Sequence, residues 1–154
     1  MSLEIERKFL VVSDIYKAMS SGSEEIAQGY LGDCPERTVR VRIKGEHGYL
    51  TVKGITRGCV RHEWEYEVPL DDARQMLGLC AGCIVKRRWY VPYGGHTWEV
   101  DEFGGTLATL VVAEVELSDA DEAVDLPPFV GREVTGDARY YNSSLAAGVI
   151  PGGE

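Results

Sequence analysis

Two carboxylates and an ammonium occupy every second position of Glu4-Ile5-Glu6-Arg7-Lys8-Phe9. In an extended strand, side chains alternate between faces, so Glu4, Glu6 and Lys8 share one side and Ile5 and Phe9 the other. Such a row can hold a cation and an anion side by side. It can equally be the wet face of an ordinary strand, and its weight comes from recurrence. Arg40 and Arg42 stand opposite Val39, Val41 and Ile43, and Lys53 opposite Leu50 and Val52. Glu63, Glu65 and Glu67 alternate with Trp64, Tyr66 and Val68. Lys86 is in phase with Arg88, Glu99 with Asp101, and Glu114 with Glu116.

The elements that carry these rows follow from period-2 runs and turn residues. Strands are expected at about Leu3 to Val12, Ile26 to Leu31, Thr38 to Lys44, Tyr49 to Lys53, Arg61 to Val68, Ile84 to Pro92, Thr97 to Phe103 and Leu110 to Leu117. Asp33-Cys34-Pro35 reads as a turn. A short helical turn after Ser13 or Asp14 runs to Met19. A helix capped by Asp71 places Ala73, Met76, Leu77 and Cys80 on one stripe. A short helix from Ser118 or Asp119 to Val124 ends at Pro127-Pro128, and Arg139 to Ala147 reads as a last helix before a Gly-rich tail. Hairpin-type connections make the sheet antiparallel and closed. The expected fold is mainly β (α+β): one domain over 1–154, an eight-stranded antiparallel β-barrel forming a tunnel, with a few helices packed outside.

Which face lines the tunnel decides the chemistry. A conventional sheet would bury the apolar set and wet the charges. Three features argue for the reverse. The polar face is almost entirely carboxylate, guanidinium and ammonium rather than a mixture with Ser, Thr and Gln. Like charges also stack at alternate positions, which is unfavourable unless opposite charge lies between them. The helices and the Trp and Tyr residues need an apolar exterior to cover. A charged lumen must be neutral overall, internally or through a ligand. Lys8, Arg40, Arg42, Lys53, Lys86 and Arg88 suit a polyanion held along its length. The remaining carboxylates suit hard divalent cations. A linear polyphosphate carrying Mg²⁺ or Mn²⁺ satisfies both. No Gly-rich phosphate loop is present, so side chains must do the gripping.

The net charge of −9 over 154 residues argues against a nucleic-acid or anionic-membrane binder. The longest apolar run, around Leu110 to Ala113, is too short to span a bilayer, and charges interrupt the N-terminus, so a cytoplasmic location is expected. Cys80-Ala-Gly-Cys83 has metal-ligand or redox spacing, but Cys34 and Cys59 supply no second pair, and structural thiols are the preferred reading. His47, His62 and His96 are scattered near turns and strand ends, which favours surface roles. Oligomeric state is not determined by these patterns, which allow for a homodimer.

With these residues in place, the chain resembles the CYTH family, the triphosphate tunnel metalloenzymes, over nearly its whole length. The resemblance rests on Glu4-x-Glu6-x-Lys8, Gln28-Gly-Tyr30-Leu, Val39-Arg-Val-Arg42, Leu50-Thr-Val-Lys53-Gly, Glu63-x-Glu65-x-Glu67, Lys86-x-Arg88, Trp98-Glu-Val-Asp101, Ala113-Glu-Val-Glu116-Leu, Gly131-x-Glu133-Val-Thr-Gly and Arg139-Tyr-Tyr-Asn142. It implies an enzyme, a metal-dependent triphosphatase acting on a small-molecule triphosphate, with Lys8, Arg40, Arg42, Lys53, Lys86 and Arg88 on the phosphates. It implies metal ligation by Glu4, Glu6, Glu114 and Glu116, with Glu63, Glu65 and Asp101 supporting metal or water. Inorganic triphosphate is the favoured substrate. Class IV adenylate cyclase and thiamine triphosphatase are the alternatives within the family, and a non-catalytic polyphosphate binder is the alternative outside enzymes. An organic end would need a stacking aromatic at the mouth. Of Tyr30, Tyr49 and Trp98, only Tyr30 is expected on the charged face, and Tyr140 or Tyr141 could plug one end.

Overall fold

The computed structural model describes residues 2–152, with the side chains of Ser2 and Asp33 left aside. Nine strands are present among them: β1 (Ser2–Val11), β2 (Gly22–Cys34), β3 (Arg37–Lys44), β4 (His47–Gly54), β5 (Val60–Val68), β6 (Cys83–Tyr93), β7 (His96–Phe103), β8 (Val111–Glu116) and β9 (Val130–Glu133). Three short α-helices accompany them: α1 (Tyr16–Met19), α2 (Leu70–Leu77) and α3 (Asn142–Leu145). Every pairing is antiparallel, in the order β5-β4-β3-β2-β6-β7-β8-β1-β9, and a further β1–β5 pairing closes the first eight strands into a barrel. Two-residue turns make this compact. Gly94 and Gly95 sit at φ 60° and 81° between β6 and β7, the left-handed pair that matches the twist of a hairpin.

The ninth strand was not visible in the sequence pattern. It takes the β1 edge beyond the point where β5 stops: β5 pairs with Ser2 to Ile5, and β9 pairs at Phe9 and Val11. Outside the barrel, Arg7 forks onto Glu133 of β9 at 2.7 and 2.9 Å.

Registers confirm the inversion of the sheet. Lys8 faces Glu114, Glu6 faces Glu116, Arg88 faces Asp101 and Lys53 faces Glu63 across neighbouring strands. The opposite faces of the same strands carry the outer core: Phe9, Val91, Trp98, Val100, Ala113, Val115 and Leu117, covered by Tyr16 of the α1 helix and by Phe129. Phe9 and Trp98 lie tilted at 5.6 Å, and Tyr16 meets Phe129 edge-on at 5.9 Å. The α2 helix lies over β3 and β4. Gly48 of β4 allows it to come close, because a Cβ there would stand 2.6 Å from the Ala73 Cβ. Coverage is incomplete elsewhere, where Tyr66 of β5 and Val85 of β6 are 66% and 50% exposed.

The lumen, however, is not charged from end to end. Ile84, Phe103 and Val112 share the phase of Lys86, Asp101 and Glu114, yet they form a second apolar cluster with Leu107, Leu110, Val134, Tyr140 and Leu145. This cluster fills one end of the barrel between β2, β6, β7 and β8, with Leu10 and Tyr30 packed against it. A plug of this kind removes water from one end of the charged rows and strengthens their mutual interactions.

Helix expectations need correction. The segment after Ser118 forms turns instead of a helix: Glu122 Oε1 accepts from Ser118 N and Oγ, and Asp119 Oδ1 accepts from Asp121 N. Local side-chain acceptors have outcompeted the helical ladder there. Arg139 to Ala147 is split into a 3₁₀ turn, Ala138–Tyr140, and the single turn of α3, because Tyr141 is extended at φ −67°, ψ 137°. The α2 helix begins after Pro69 with no side-chain cap, so Asp71 lies inside its first turn, and it ends before Cys80. Cys80 packs over Gly29 instead. Asp33 and Cys34 belong to β2, and the turn follows at Pro35-Glu36. Of the Gly-rich tail, Gly153 and Glu154 lie outside the described residues, and no helix among the described ones is long and apolar enough to cross a membrane.

If the principal core lies outside the barrel, Phe129→Ala, remote from every charged row, should lower unfolding stability by about 3–5 kcal/mol, as for a buried aromatic. Urea titration followed by Trp fluorescence measures this.

Candidate active site

The charged stretch of the lumen encloses a cavity of about 230 Å³. All six expected bases and Glu4, Glu6, Glu63, Glu65, Glu99, Glu114 and Glu116 line it. Each base is positioned by strand register plus at least one local acceptor.

Lys8 Nζ lies 3.2 Å from Glu114 Oε2 and donates to the Tyr140 carbonyl at 3.1 Å. Lys86, only 2% exposed, lies 2.8 Å from Asp101 Oδ2 and donates to Asn142 Oδ1 at 3.1 Å. Arg88 grips Asp101 in bidentate fashion, Nε at 2.8 Å and Nη2 at 3.0 Å, and its Nη1 is 3.3 Å from Glu99. Lys53 bridges Glu4 at 3.1 Å and Glu63 at 3.3 Å. Arg40 donates to Glu65 Oε2 and to Thr51 Oγ1, each at 3.1 Å, and Thr51 donates to that same carboxylate oxygen at 2.7 Å.

Arg42 fares worst. It reaches only the Glu65 oxygen already used by Arg40, at 3.5 Å. Burial and the neighbouring guanidinium groups of Arg40 and Arg88 bring its pKa down to about 10. The Nε atoms of Arg40 and Arg42 are buried without partners among the described residues, a costly arrangement unless an anion supplies acceptors. Lys86 is similarly stressed: burial, reinforced by Arg88 and only partly offset by Asp101, lowers it to about 8.

The carboxylates divide into two groups. Asp101, Glu65 and Glu114 are well supplied with cations. Burial alone would raise all three, but Arg88 and Lys86 hold Asp101 low, Thr51 and Arg42 lower Glu65, and Lys8 brings Glu114 to about 2. Glu6 and Glu116 face each other directly across β1 and β8, and neither carboxylate has a hydrogen bond or an ion pair within 4.0 Å among the described residues. Burial raises both, Glu6 further through Glu114 and Glu4, and Glu116 through Glu4 and Glu63. Glu63 and Glu99 are raised by burial as well. Like charges facing each other are destabilising, so this mouth is deficient in positive charge. The donors are hard oxygens of the kind a divalent cation prefers, although no three acidic, His or Cys groups among the described residues converge on one point.

Several residues in or beside the cavity were not among the expected site residues. Thr51 and Asn142 orient bases. Gln28 is fully buried, donating to the Tyr30 hydroxyl at 3.1 Å while its Oε1 has no partner among the described residues. Lys44 and Arg61 line the cavity with no carboxylate partner among the described residues. Both were signalled by phase, Lys44 after Arg40 and Arg42, and Arg61 before Glu63. Glu67 is the reverse case: exposed, it pairs with His47 at 2.8 Å outside the site. Tyr49 stands opposite Arg42 in register and so shares the charged face, contrary to expectation. Trp98 is wholly buried in the outer core, and Tyr30 packs on the plug, which Tyr140 helps to build. His62 stacks on Trp64 at 5.9 Å, and His96 Nε2 lies 2.5 Å from Glu122.

Comparison with known proteins agrees with this geometry. An inorganic triphosphatase of Acetivibrio thermocellus is 45% identical over 147 residues, covering 94% of each chain. One of Nitrosomonas europaea is 33% identical over 153 residues, covering 95% of this chain and 98% of the other. A solved inorganic triphosphatase structure superimposes with a TM-score of 0.66 at 32% identity, covering 97% of this chain and all of the other (100%). A solved protein from Hippeastrum, named a putative adenylyl cyclase with dominant triphosphatase activity, shares the fold at a TM-score of 0.60 and 16% identity, over 75% of this chain and 80% of that one. The CYTH domain profile matches residues 2–146, and the chain belongs to the CYTH family.

Proposed function

We propose that the protein is a divalent-metal-dependent hydrolase that releases phosphate from inorganic triphosphate inside the tunnel. The observation that carries this reading is a double imbalance within one enclosed space. Among the described residues, Arg61 and Lys44 have no carboxylate partner and Arg42 shares one, while Glu6 and Glu116 have no cation within 4.0 Å. A polyphosphate with a bound metal corrects both at once, and each charge is worth more in a partly dry cavity than in water. The names of the two relatives above support the same substrate.

In this reading Arg40 and Arg42 take bridging and equatorial phosphate oxygens through the Nε and Nη atoms that protein acceptors leave free. Lys8, Lys86 and Arg88 stabilise charge on the opposite side, each kept in place by its carboxylate and, for the lysines, by the Tyr140 carbonyl and Asn142. Lys53, held by Glu4 and Glu63, sets the register of the chain. Glu65 and Asp101 serve mainly to orient their bases. Glu4, Glu6, Glu114 and Glu116 would hold the metal, Mg²⁺ or Mn²⁺, with Glu63 behind them; when bound it neutralises phosphate oxygens and acidifies the attacking water. Tyr30 and Tyr141 line the cavity and Tyr49 shares the charged face, while Trp98 lies in the outer core, so the preference for an inorganic over an organic triphosphate is supported by the relatives and not by a lack of aromatic rings.

The first test is phosphate release from tripolyphosphate, ATP and thiamine triphosphate with Mg²⁺ or Mn²⁺, with cyclic-nucleotide and pyrophosphate detection. Tripolyphosphate should be preferred, without cyclic product. Glu6→Gln, which conserves shape and removes the charge, should cost at least about a hundredfold in metal-dependent turnover, at the upper end of the range for altered metal shells. Survival of full activity would remove Glu6 from the metal site. Lys86 carries its charge below about pH 8, so kcat/KM for tripolyphosphate should fall as pH rises through that value. In Lys86→Arg, permanently charged, that alkaline limb should move upward.

A further inference from the structure

Cys80-Ala-Gly-Cys83, which joins α2 to β6, takes no part in the cavity. Both thiols are free, Cys80 half-buried and Cys83 exposed. The fold brings them to one place on the outer wall, over the peptide that links Gln28 to Gly29. Gly29 has no side chain, and Cys80 takes the space: a Cβ there would stand 2.8 Å from both the Cβ and the Sγ of Cys80. Cys83 is the residue directly opposite Gly29 in the β2–β6 ladder. Residues paired in this way project their Cβ atoms on the same side of a sheet, about 4.5–5.5 Å apart. The Cys83 Cβ therefore lies beside the spot that Cys80 fills, and the Gln28 backbone N–H donates to the Cys83 sulfur.

The connection is also held in place. The Gly82 carbonyl oxygen would be 3.1 Å from the same added Cβ on Gly29, and a Cβ on Gly82 would run into the Ala146 carbonyl oxygen just past α3. Two small residues wedged between β2 and the end of α3 thus fix the approach of the two cysteines. The hydrogen bond that Cys80 makes, to the Met76 carbonyl at 3.5 Å, is weak and readily given up. The other thiols are engaged elsewhere: Cys34 donates to Glu36 at 2.9 Å, and Cys59 lines the cavity.

We infer that Cys80 and Cys83 are a redox modification site, a dithiol that closes to an intramolecular disulfide on reaction with a low-molecular-weight disulfide such as oxidised glutathione. A disulfide needs Cβ atoms about 3.5–4.5 Å apart, which two cysteines beside one glycine reach with a small shift of the connection. The exchange balances in two steps. The exposed Cys83 thiolate attacks one sulfur of the oxidant. A bond forms between the protein and that sulfur as the oxidant's own S–S bond breaks, and one glutathione thiolate leaves. The Cys80 thiolate then attacks the Cys83 sulfur and expels the second glutathione. Two protein thiols are oxidised, one glutathione disulfide is reduced, and the two protons pass to the departing thiolates. Burial raises both protein thiols, Cys80 further through Cys83, so the exchange is faster in mildly alkaline solution, where more thiolate is present. The site stands independently of the triphosphatase reading, because neither cysteine is among the residues lining the cavity.

The test treats the folded wild type and Cys80→Ser with oxidised glutathione, alkylates the thiols that remain and maps the peptides by mass. The wild type should lose two hydrogens, the loss confined to a peptide in which Cys80 and Cys83 are linked, and dithiothreitol should reverse it. In Cys80→Ser, glutathione should stay on Cys83 in at least about ten times as many molecules as in the wild type, because the intramolecular attack that removes it is gone. Cys34 and Cys59 should stay unbridged in both proteins. A wild type that carries glutathione on Cys83 as stably as the variant does overturns the proposal. So does one that leaves Cys80 and Cys83 open to alkylation, or that bridges either of them to Cys34 or Cys59. The wild-type result decides the matter by itself if the serine disturbs the packing over Gly29.

Discussion

Charge compensation inside a closed sheet governs this molecule. A barrel of eight strands has room at its centre for side chains and one small ligand, and here that room is filled by ionised groups removed from most of their water. Each must find an opposite charge, and register supplies most of them: Lys8 with Glu114, Arg88 with Asp101, Lys53 with Glu63. Removing one member of such a pair leaves its partner buried and alone, which is far worse than never having had the pair. The residual imbalance, cationic around Arg42 and anionic around Glu6 and Glu116, is therefore informative. It is what the fold leaves for a ligand to complete.

The apolar plug and the short C-terminal helix serve the same constraint. Phe103, Val112 and Leu145 exclude water from one end. Tyr140 and Asn142, on the segment that brings Leu145 into place, also supply acceptors for Lys8 and Lys86. Sealing and orienting are thus done by one stretch of chain. An ammonium denied solvent needs its protons directed, and a backbone carbonyl and an amide oxygen do this without adding charge.

Period-2 alternation made the barrel strands legible, because a one-residue slip would reverse every side chain at once. The inside-out arrangement was legible too, since stacked like charges cannot be explained as a solvated face. What stayed hidden has physical reasons. Ile84, Phe103 and Val112 are in phase with charged neighbours, and nothing local distinguishes a plug from a wet strand end. The β9 strand has only Val130 to Glu133 and is stabilised by a distant edge of β1 rather than by its own pattern. Ser118 to Val124 has helical composition, but Glu122 and Asp119 spend their oxygens on nearby amides. Asn142 enters the site through three-dimensional proximity, which its residue type does not announce, whereas Arg61 and Thr51 stand in phase with Glu63 and Lys53.

The seam of the barrel has a consequence for biosynthesis. Glu6 and Lys8 find their neighbours only at Glu116 and Glu114, and Phe9 also pairs with Glu133. β1 leaves the ribosome well before β8 and is therefore completed late, waiting on the order of ten seconds at ordinary translation speeds. During that interval its carboxylates and ammonium remain hydrated, which keeps an otherwise unprotected edge soluble. The same ionic row that works in the finished interior protects the nascent polypeptide before an interior exists.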